Sequence, residues 1–563
     1  MRRKTSFGIG APRWGVMLCL LAALATPAAP LMAQEAPAGD SAAATSQEPV
    51  LVVSIAGIDQ VGGAVSYLAE AVGQPGTGGM FAAMAAGFTQ GIDATRPLGI
   101  TVQMIEGAPA PIAFVPAADI SQFLKRIENQ VGPAEKLEDG TYVIAAGANL
   151  LYIRQVGDWA YASQNREFLA DVPDDPTTLL DGMADTYDLA VRLNVQAVPG
   201  PLRGMLVEQM KQGFNQAAAR QAAEAQAMGQ RTLEQLSQMI SETERLQLGW
   251  SIDPASRRTF IDLEIVAVEG SELAEIYDGS QPVPSRFASV IRPDAALYYH
   301  AAASVSPKAV EQTRQSLDQT LQQVGEQLTK TGELSESQAT EVEALIKRLA
   351  ELGMDTVAEG KIDLGVLVTA GSETLTASGG ALLADGNELA ALLKDVAAKV
   401  EEEPGAPRFL FDQGEFNGVT MHTVEADVPE SEEEARQVFG PVLQVKLGTA
   451  DDAVYFAMGE DAEARMKALI VEAEEPDASD RPLGQAYFSL LPVLQFAQSV
   501  DQQEVIAAMI DAIARSGETD RVNLISNSIS RGQRVRISIG EGILRAIGAG
   551  IQADQMKQQG GNF

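Results

Sequence analysis

The sequence predicts an α+β fold: a tandem duplication of mainly antiparallel sheets backed by helices, with helical hairpins. Three observations carry that expectation. Short apolar runs of alternating character come in pairs joined by tight turns, as in "LQLGWSID", "PASRR", "TFIDLEIVAV", and such spacing suits hairpins rather than crossovers. Two helical stretches stand before most of these hairpins. The segment "VAVEGSELAEI", Val266 to Ile276, returns as "LLADGNELAAL", Leu382 to Leu392.

The elements follow in order. Residues 50–129 give "VLVVSIAG", two helices containing "VSYLAEAVG" and "MFAAMAAGF", the hairpin "GITVQMI", "EGAPA", "PIAFVPA", and the helix "DISQFLKRI". Residues 187–279 repeat the order, from "YDLAVRLNV" through two helices and a hairpin to Gly-Ser-Glu-Leu-Ala. Residues 296–399 do so with "ALYYHAAA", "KIDLGVLVTA" and "TLTASGGALLA", and residues 485–550 with "QAYFSLL", "RVNLISNSI" and "RVRISI". Between the first and second units, and between the third and fourth, sits a smaller hairpin followed by a helix: "LLYIRQ", "WAYAS", "QNREFLADV" and "VLQVKLG", "AVYFAMG", "EDAEARMKALI". A unit of strand, helix pair, hairpin and helix, read four times, implies one ancestral half that was duplicated. The expected organisation is a signal peptide over 1–33, a disordered leader over 34–48, α+β halves over 49–279 and 292–556 joined by a linker at 280–291, and a flexible tail over 557–563.

Arg2, Arg3, Lys4 and Arg13 precede the apolar run "GVMLCLLAALA", and Ala33 offers a small residue for cleavage; this is the layout of a secretory signal. A lipid anchor on Cys19 is disfavoured because the bulky Leu18 precedes it. The chain carries 41 basic and 76 acidic residues, and the first 33 take four basic and no acidic ones, leaving 37 against 76. Such a balance argues against nucleic acid as a partner. Cys19 is the only cysteine, so a mature chain beginning near Gln34 holds no disulfide. The expected location is periplasmic or secreted, with no stable transmembrane segment in the mature chain.

The recurring turn reads as a building device. Glycine can take the positive φ of a sharp strand exit, Ser271 and Asn387 fall where a helix N-cap is wanted, and Glu272 and Glu388 favour the positive end of the helix. Those carboxylates would repel an anion. The glycines of "GTGGM", 76–80, do not complete G-x-G-x-x-G because Phe81 stands in the last position. The stripes Leu202, Leu206, Met210, Phe214 and Leu317, Leu321, Val324, Leu328 mark long amphipathic helices. Ser335 with Gln338 resembles a capping box, so Pro307 to Leu352 is expected to form a helical hairpin.

Catalytic constellations are scarce. There are two histidines, and both His300 and His422 fall in strand patterns that suit a core position. No nucleophile elbow, S-x-x-K or zinc-ligand spacing occurs. The acidic runs "DVPDDP", "EEEP", "ESEEEAR" and "EAEEPDASD" lack EF-hand spacing. Trp159 and Trp250 either close a core edge or mark a ligand face. No cofactor, metal or catalytic residue is implied.

The leader, "GIDATRPLGITV", "GDWAYAS" and "YDLAVRLNVQAVP" resemble the large uncharacterised secreted proteins of planctomycete-type bacteria, and are distantly similar to domain-of-unknown-function families of exported bacterial proteins. That resemblance implies export and scaffold, and no reaction. The expected function is an exported, non-catalytic binding or scaffold protein of the envelope, its partner an unknown envelope component or ligand. A carboxylate-based hydrolase of envelope polymers and a carrier of an apolar ligand stay open beside it.

Overall fold

A computed structural model describes residues 48–88, 91–105, 107–146, 149–205, 208–209, 237, 239–330, 336–372, 374–400, 405–517 and 519–560. The expected signal peptide, most of the expected leader, the stripe positions Leu206, Met210 and Phe214, and Ser335 lie outside them.

The strands of the first half are β1 (Leu51–Ile55), β2 (Leu98–Ile105), β3 (Ala108–Pro116), β4 (Glu135–Lys136), β5 (Tyr142–Ala146), β6 (Asn149–Val156), β7 (Trp159–Ser163), β8 (Leu189–Asn194), β9 (Thr243–Asp253) and β10 (Arg258–Ala267). The second half supplies β11 (Leu297–Ser304), β12 (Lys361–Ala370), β13 (Leu375–Leu382), β14 (Arg408–Leu410), β15 (Glu415–Phe416), β16 (Val419–Asp427), β17 (Val442–Thr449), β18 (Ala453–Met458), β19 (Gly484–Ser489), β20 (Arg521–Ile529) and β21 (Gly532–Gly540). The α+β expectation holds, and every strand pairing among the described residues is antiparallel.

The two halves share one sheet. Outward from β10 run β9, β8, β1, β2, β3, β7, β6, β5 and β4; outward from β21 run β20, β19, β11, β12, β13, β18, β17 and β16, with β14 and β15 on its far edge. With β14 and β15 counted together, the two orders match strand for strand. They meet where β10 pairs with β21, from Arg258 opposite Gly540 to Val266 opposite Gly532.

Apolar cores lie under both flanks. On one face of the first half, Val52, Phe114, Trp159, Tyr161 and Ala190 pack with Leu169, Leu180 and Met183. On the same face of the second half, the helix Ala462–Glu472 brings Met466 and Ile470 against Leu382, Tyr455 and Tyr487, together with Phe287 and Val290. The segment 280–291, expected as the joint, is thereby anchored in a core. The opposite face is covered at its two ends, by the helix Ile120–Val131 through Ile120 and Leu124 on Ile144 and Ile153, and by Leu389 and Leu392 of the helix Gly386–Val400 beside Val454.

Helix ends follow local chemistry. Asp119 caps its helix by accepting from the Ser121 N–H, and Ser271 accepts from the Ala274 N–H as expected. The helical hairpin appears as Pro307–Lys330 followed by Glu336–Ala358. "GTGGM" lies inside the helix Pro75–Phe88. Two expectations need correction. "QNREFLADV" forms only the short 3-10 turn Arg166–Leu169. At 385–388 the cap is Asp385, whose Oδ1 accepts from the N–H groups of Asn387 and Glu388 at 2.9 and 3.0 Å.

Gly270 does take a positive φ, 75°, but Gly386 is not among the positive-φ glycines. It is small for another reason, because a Cβ there would overlap the Ala450 carbonyl oxygen. Gly386→Val should therefore cost about 2 kcal/mol or more, since backbone on backbone cannot relax as a side chain can. An unchanged urea midpoint would contradict it.

Candidate functional site

Residues opposite one another in an antiparallel ladder share a face, and faces alternate along each strand. Applied to the ten adjacent strands from β2 to β12, the registers sort the sheet sharply. One face carries Leu51 and Val53, Ile100 and Val102, Leu189 and Val191, Leu248 and Trp250, Ile261 and Leu263, Val535 and Ile537, Leu524, Phe488, Leu297 and Val366. No Asp, Glu, Lys or Arg of the registered positions points that way. Their charges, among them Arg192, Arg245, Asp262, Glu264, Arg534 and Arg536, are all on the other face.

An antiparallel sheet normally hides its apolar face. Here the middle of that face is open: Ile100, Leu189, Leu248, Ile261, Leu263, Leu297 and Ile537 are between 37% and 50% exposed. Leu248 stands opposite Leu263, Ile261 opposite both Trp250 and Ile537, and Leu189 opposite Trp250. These neighbours form one patch rather than scattered exceptions. From β2 to β11 it crosses nine strands, roughly 38 Å at the usual strand spacing. Trp250 is half-buried in it and donates Nε1–H to the Thr259 hydroxyl at 2.8 Å. The other tryptophan serves the core: Trp159 is buried edge-on against Phe114 with the Arg96 guanidinium over its ring.

Polar clusters elsewhere are occupied by the fold. Ser285 donates its hydroxyl to Asp363 Oδ1 at 2.7 Å and lies 2.8 Å from His300 Nε2, while the Arg286 N–H donates to Asp363 Oδ2. Serine bridges acid and base here, whereas a triad needs histidine between acid and nucleophile. All three residues are buried. Burial pulls the His300 pKa down to about 4, with the Arg481 charge acting in the same direction. His422, also buried, accepts from the Asp412 N–H and lies 3.0 Å from the Thr449 hydroxyl; burial lowers its pKa as well.

Two carboxylates converge at the seam of the halves, Asp262 and Glu264, and each is taken by arginine. Asp262 receives Arg536 through two bonds of 2.7 and 2.6 Å and the Tyr187 hydroxyl at 2.9 Å. Glu264 receives Arg534 and Arg245. Tyr187, desolvated and bonded to that acid, has its pKa pushed up to about 12. A surface depression of about 560 Å³ is lined by Asp139, Arg166 and Arg154. Asp139 already accepts from Thr141 and Arg166 there, which holds its pKa down at about 2. Among the described residues no three His, Cys, Asp or Glu side chains form a metal group, and no helix is long and apolar enough to cross a membrane.

Sequence reasoning named Trp250 but missed the patch around it. The signal was present in "RTFIDLEIVA" and "GQRVRISIG", where apolar residues and charges alternate. No family model, curated protein or solved structure matches the chain.

Proposed function

We propose that this is an exported, non-catalytic binding protein of the cell envelope, and that it holds an apolar ligand with acyl-chain character on the open apolar face. The uncharged, exposed stretch from Ile100 to Leu297 carries the reading. Contiguous apolar surface of this extent marks an interaction site in a water-soluble chain, above all in one as acidic as this. Export rests on the basic, apolar and Ala33-terminated start. Descent from a duplicated half is supported by the matched strand orders, and duplication would account for the width of the face, since each half contributes strands on either side of the seam.

The test uses an environment-sensitive naphthylamine dye displaced by palmitate. The wild-type protein should brighten the dye and lose it to palmitate. Leu248→Asp and Leu263→Asp, at positions 50% and 43% exposed, should keep the melting temperature yet bind the dye about tenfold more weakly, because a carboxylate must be desolvated under the ligand. Undiminished binding by both folded variants would overturn the assignment.

A further inference from the structure

The charged face of the seam presents a second surface of opposite chemistry. Its acids lie beneath its bases: Asp262 and Glu264 are 1% and 5% exposed, whereas the Arg534 and Arg536 side chains bonded to them are 44% and 36% exposed. What meets solvent is therefore arginine rather than carboxylate. Two further arginines stand at the same end of adjoining strands, Arg258 on β10 and Arg521 on β20, with Gly540 of β21 between them. Both are exposed, and among the described residues neither forms an ion pair. Asp253 feels the charge of Arg258 but spends its oxygens on Ala255 and Ser256. Arg521 lies over the Tyr487 ring, which keeps its head group on this face.

The register fixes the layout. Arg258 and Arg521 are two strand spacings apart, roughly 10 Å, and Arg536 lies four residues along β21 from Gly540, roughly 13 Å. The floor here holds Ser538 between Asn523 of β20 and Phe260 of β10, and the Ser538 and Asn523 side chains have no hydrogen-bond partner among the described residues. On either side the core layers of the two halves cover the same face, Leu180 and Met183 over the first and the Ala462–Glu472 helix over the second. Tyr187 carries the first bank across Gly249 of β9 to Asp262 of β10, so β21 and β20 form the floor of a passage between two raised banks, with Arg258 at its rim.

We infer that this passage binds a linear acidic saccharide, its carboxylates or phosphates on Arg258, Arg521 and Arg536 and its hydroxyls on Ser538 and Asn523. Charge complementarity selects the anion, in a chain whose formal charge is −35 and which would otherwise repel it. Guanidinium groups match planar oxyanions with paired N–H donors. The neutral hydroxyl and amide between them suit a sugar ring better than a bare acidic peptide. The banks admit a chain, and they hold a planar lipid surface away from the arginines.

Calorimetric titration of the mature protein with an oligogalacturonate should show binding that weakens with added salt, as exposed ion contacts do. Arg258→Gln and Arg521→Gln should each weaken it by about tenfold or more with the melting temperature unchanged. A neutral glucan oligomer should not bind. No uronate binding, or equal binding by the folded arginine variants, would overturn the inference. So would tighter association with anionic phosphatidylglycerol vesicles than with the oligosaccharide, or inorganic phosphate binding as tightly as the oligosaccharide, since either makes the saccharide irrelevant. The apolar-ligand reading is unaffected by any of these results, because its residues are on the other face.

Discussion

Acidifying the protein from pH 6.5 to pH 4 should remove up to about 3 kcal/mol of folding stability through His300 alone. In the unfolded chain this imidazole has its ordinary pKa of 6.5, and in the folded chain about 4. Between those values the unfolded state binds the proton and the native state does not, so stability falls as pH falls, and the loss is complete below the folded pKa. A difference of about 2.5 pH units at 1.36 kcal/mol each gives the magnitude. The groups facing His300 fix the sign: it is buried, Arg481 opposes a second positive charge, and Asp477 assists only in part. Asp363, raised by burial, pulls the other way, because its native form takes up a proton more readily than the free side chain. His422 acts in the same sense as His300. His300→Asn keeps a donor for Ser285 and removes the titration, so urea unfolding at several pH values isolates the term. The variant should be weaker near neutrality and flatter with pH. Parallel pH profiles for the two proteins would rule the account out.

Much of the scaffold was legible because its signals are local. "KIDLGVLVTA", "RVNLISNSI" and "WAYAS" are strands to the residue, as β12, β20 and β7, since alternation and flanking turn residues settle a short segment without help from elsewhere. The cap at Asp385 was misplaced by two residues because both Asp385 and Asn387 are good caps. Only the packed backbone at Ala450 decides which one the chain uses, by fixing where Gly386 must sit. The candidate surfaces failed differently. Each strand announced two faces, but which strands adjoin is long-range information. Asp262 and Arg536 are 274 positions apart in sequence, and Ser285 and Asp363 are 78 apart. Nothing near Leu248 says that Leu263 and Val535 will extend its face, or that the middle of it will stay exposed.

Asp262→Ala should destabilise the protein by about 2 to 4 kcal/mol, and it tests whether the two halves melt as one body. The substitution leaves the buried Tyr187 hydroxyl without its acceptor and strips Arg536 of both its bonds, and unpaired groups of this kind cost more than the intact pair contributes. Solvent reaches part of the Arg536 side chain, which keeps the loss toward the lower figure. Changing both partners, Asp262→Leu with Arg536→Leu, should recover much of it, because apolar replacement removes the desolvation of both charges together. The seam has no alternative pairing: β10 and β21 are each flanked on the other side by a strand of their own half, while across the seam Ile261 meets Ile537 and Leu263 meets Val535 on a face that is open to solvent. Apolar pairs that remain exposed bury little area, so ladder hydrogen bonds and these arginine–carboxylate pairs carry much of the adhesion. Calorimetry of the wild type should accordingly show one transition, and Asp262→Ala should split it into two as each half unfolds on its own. A single transition shifted by less than a degree would mean that the seam does not depend on the pair.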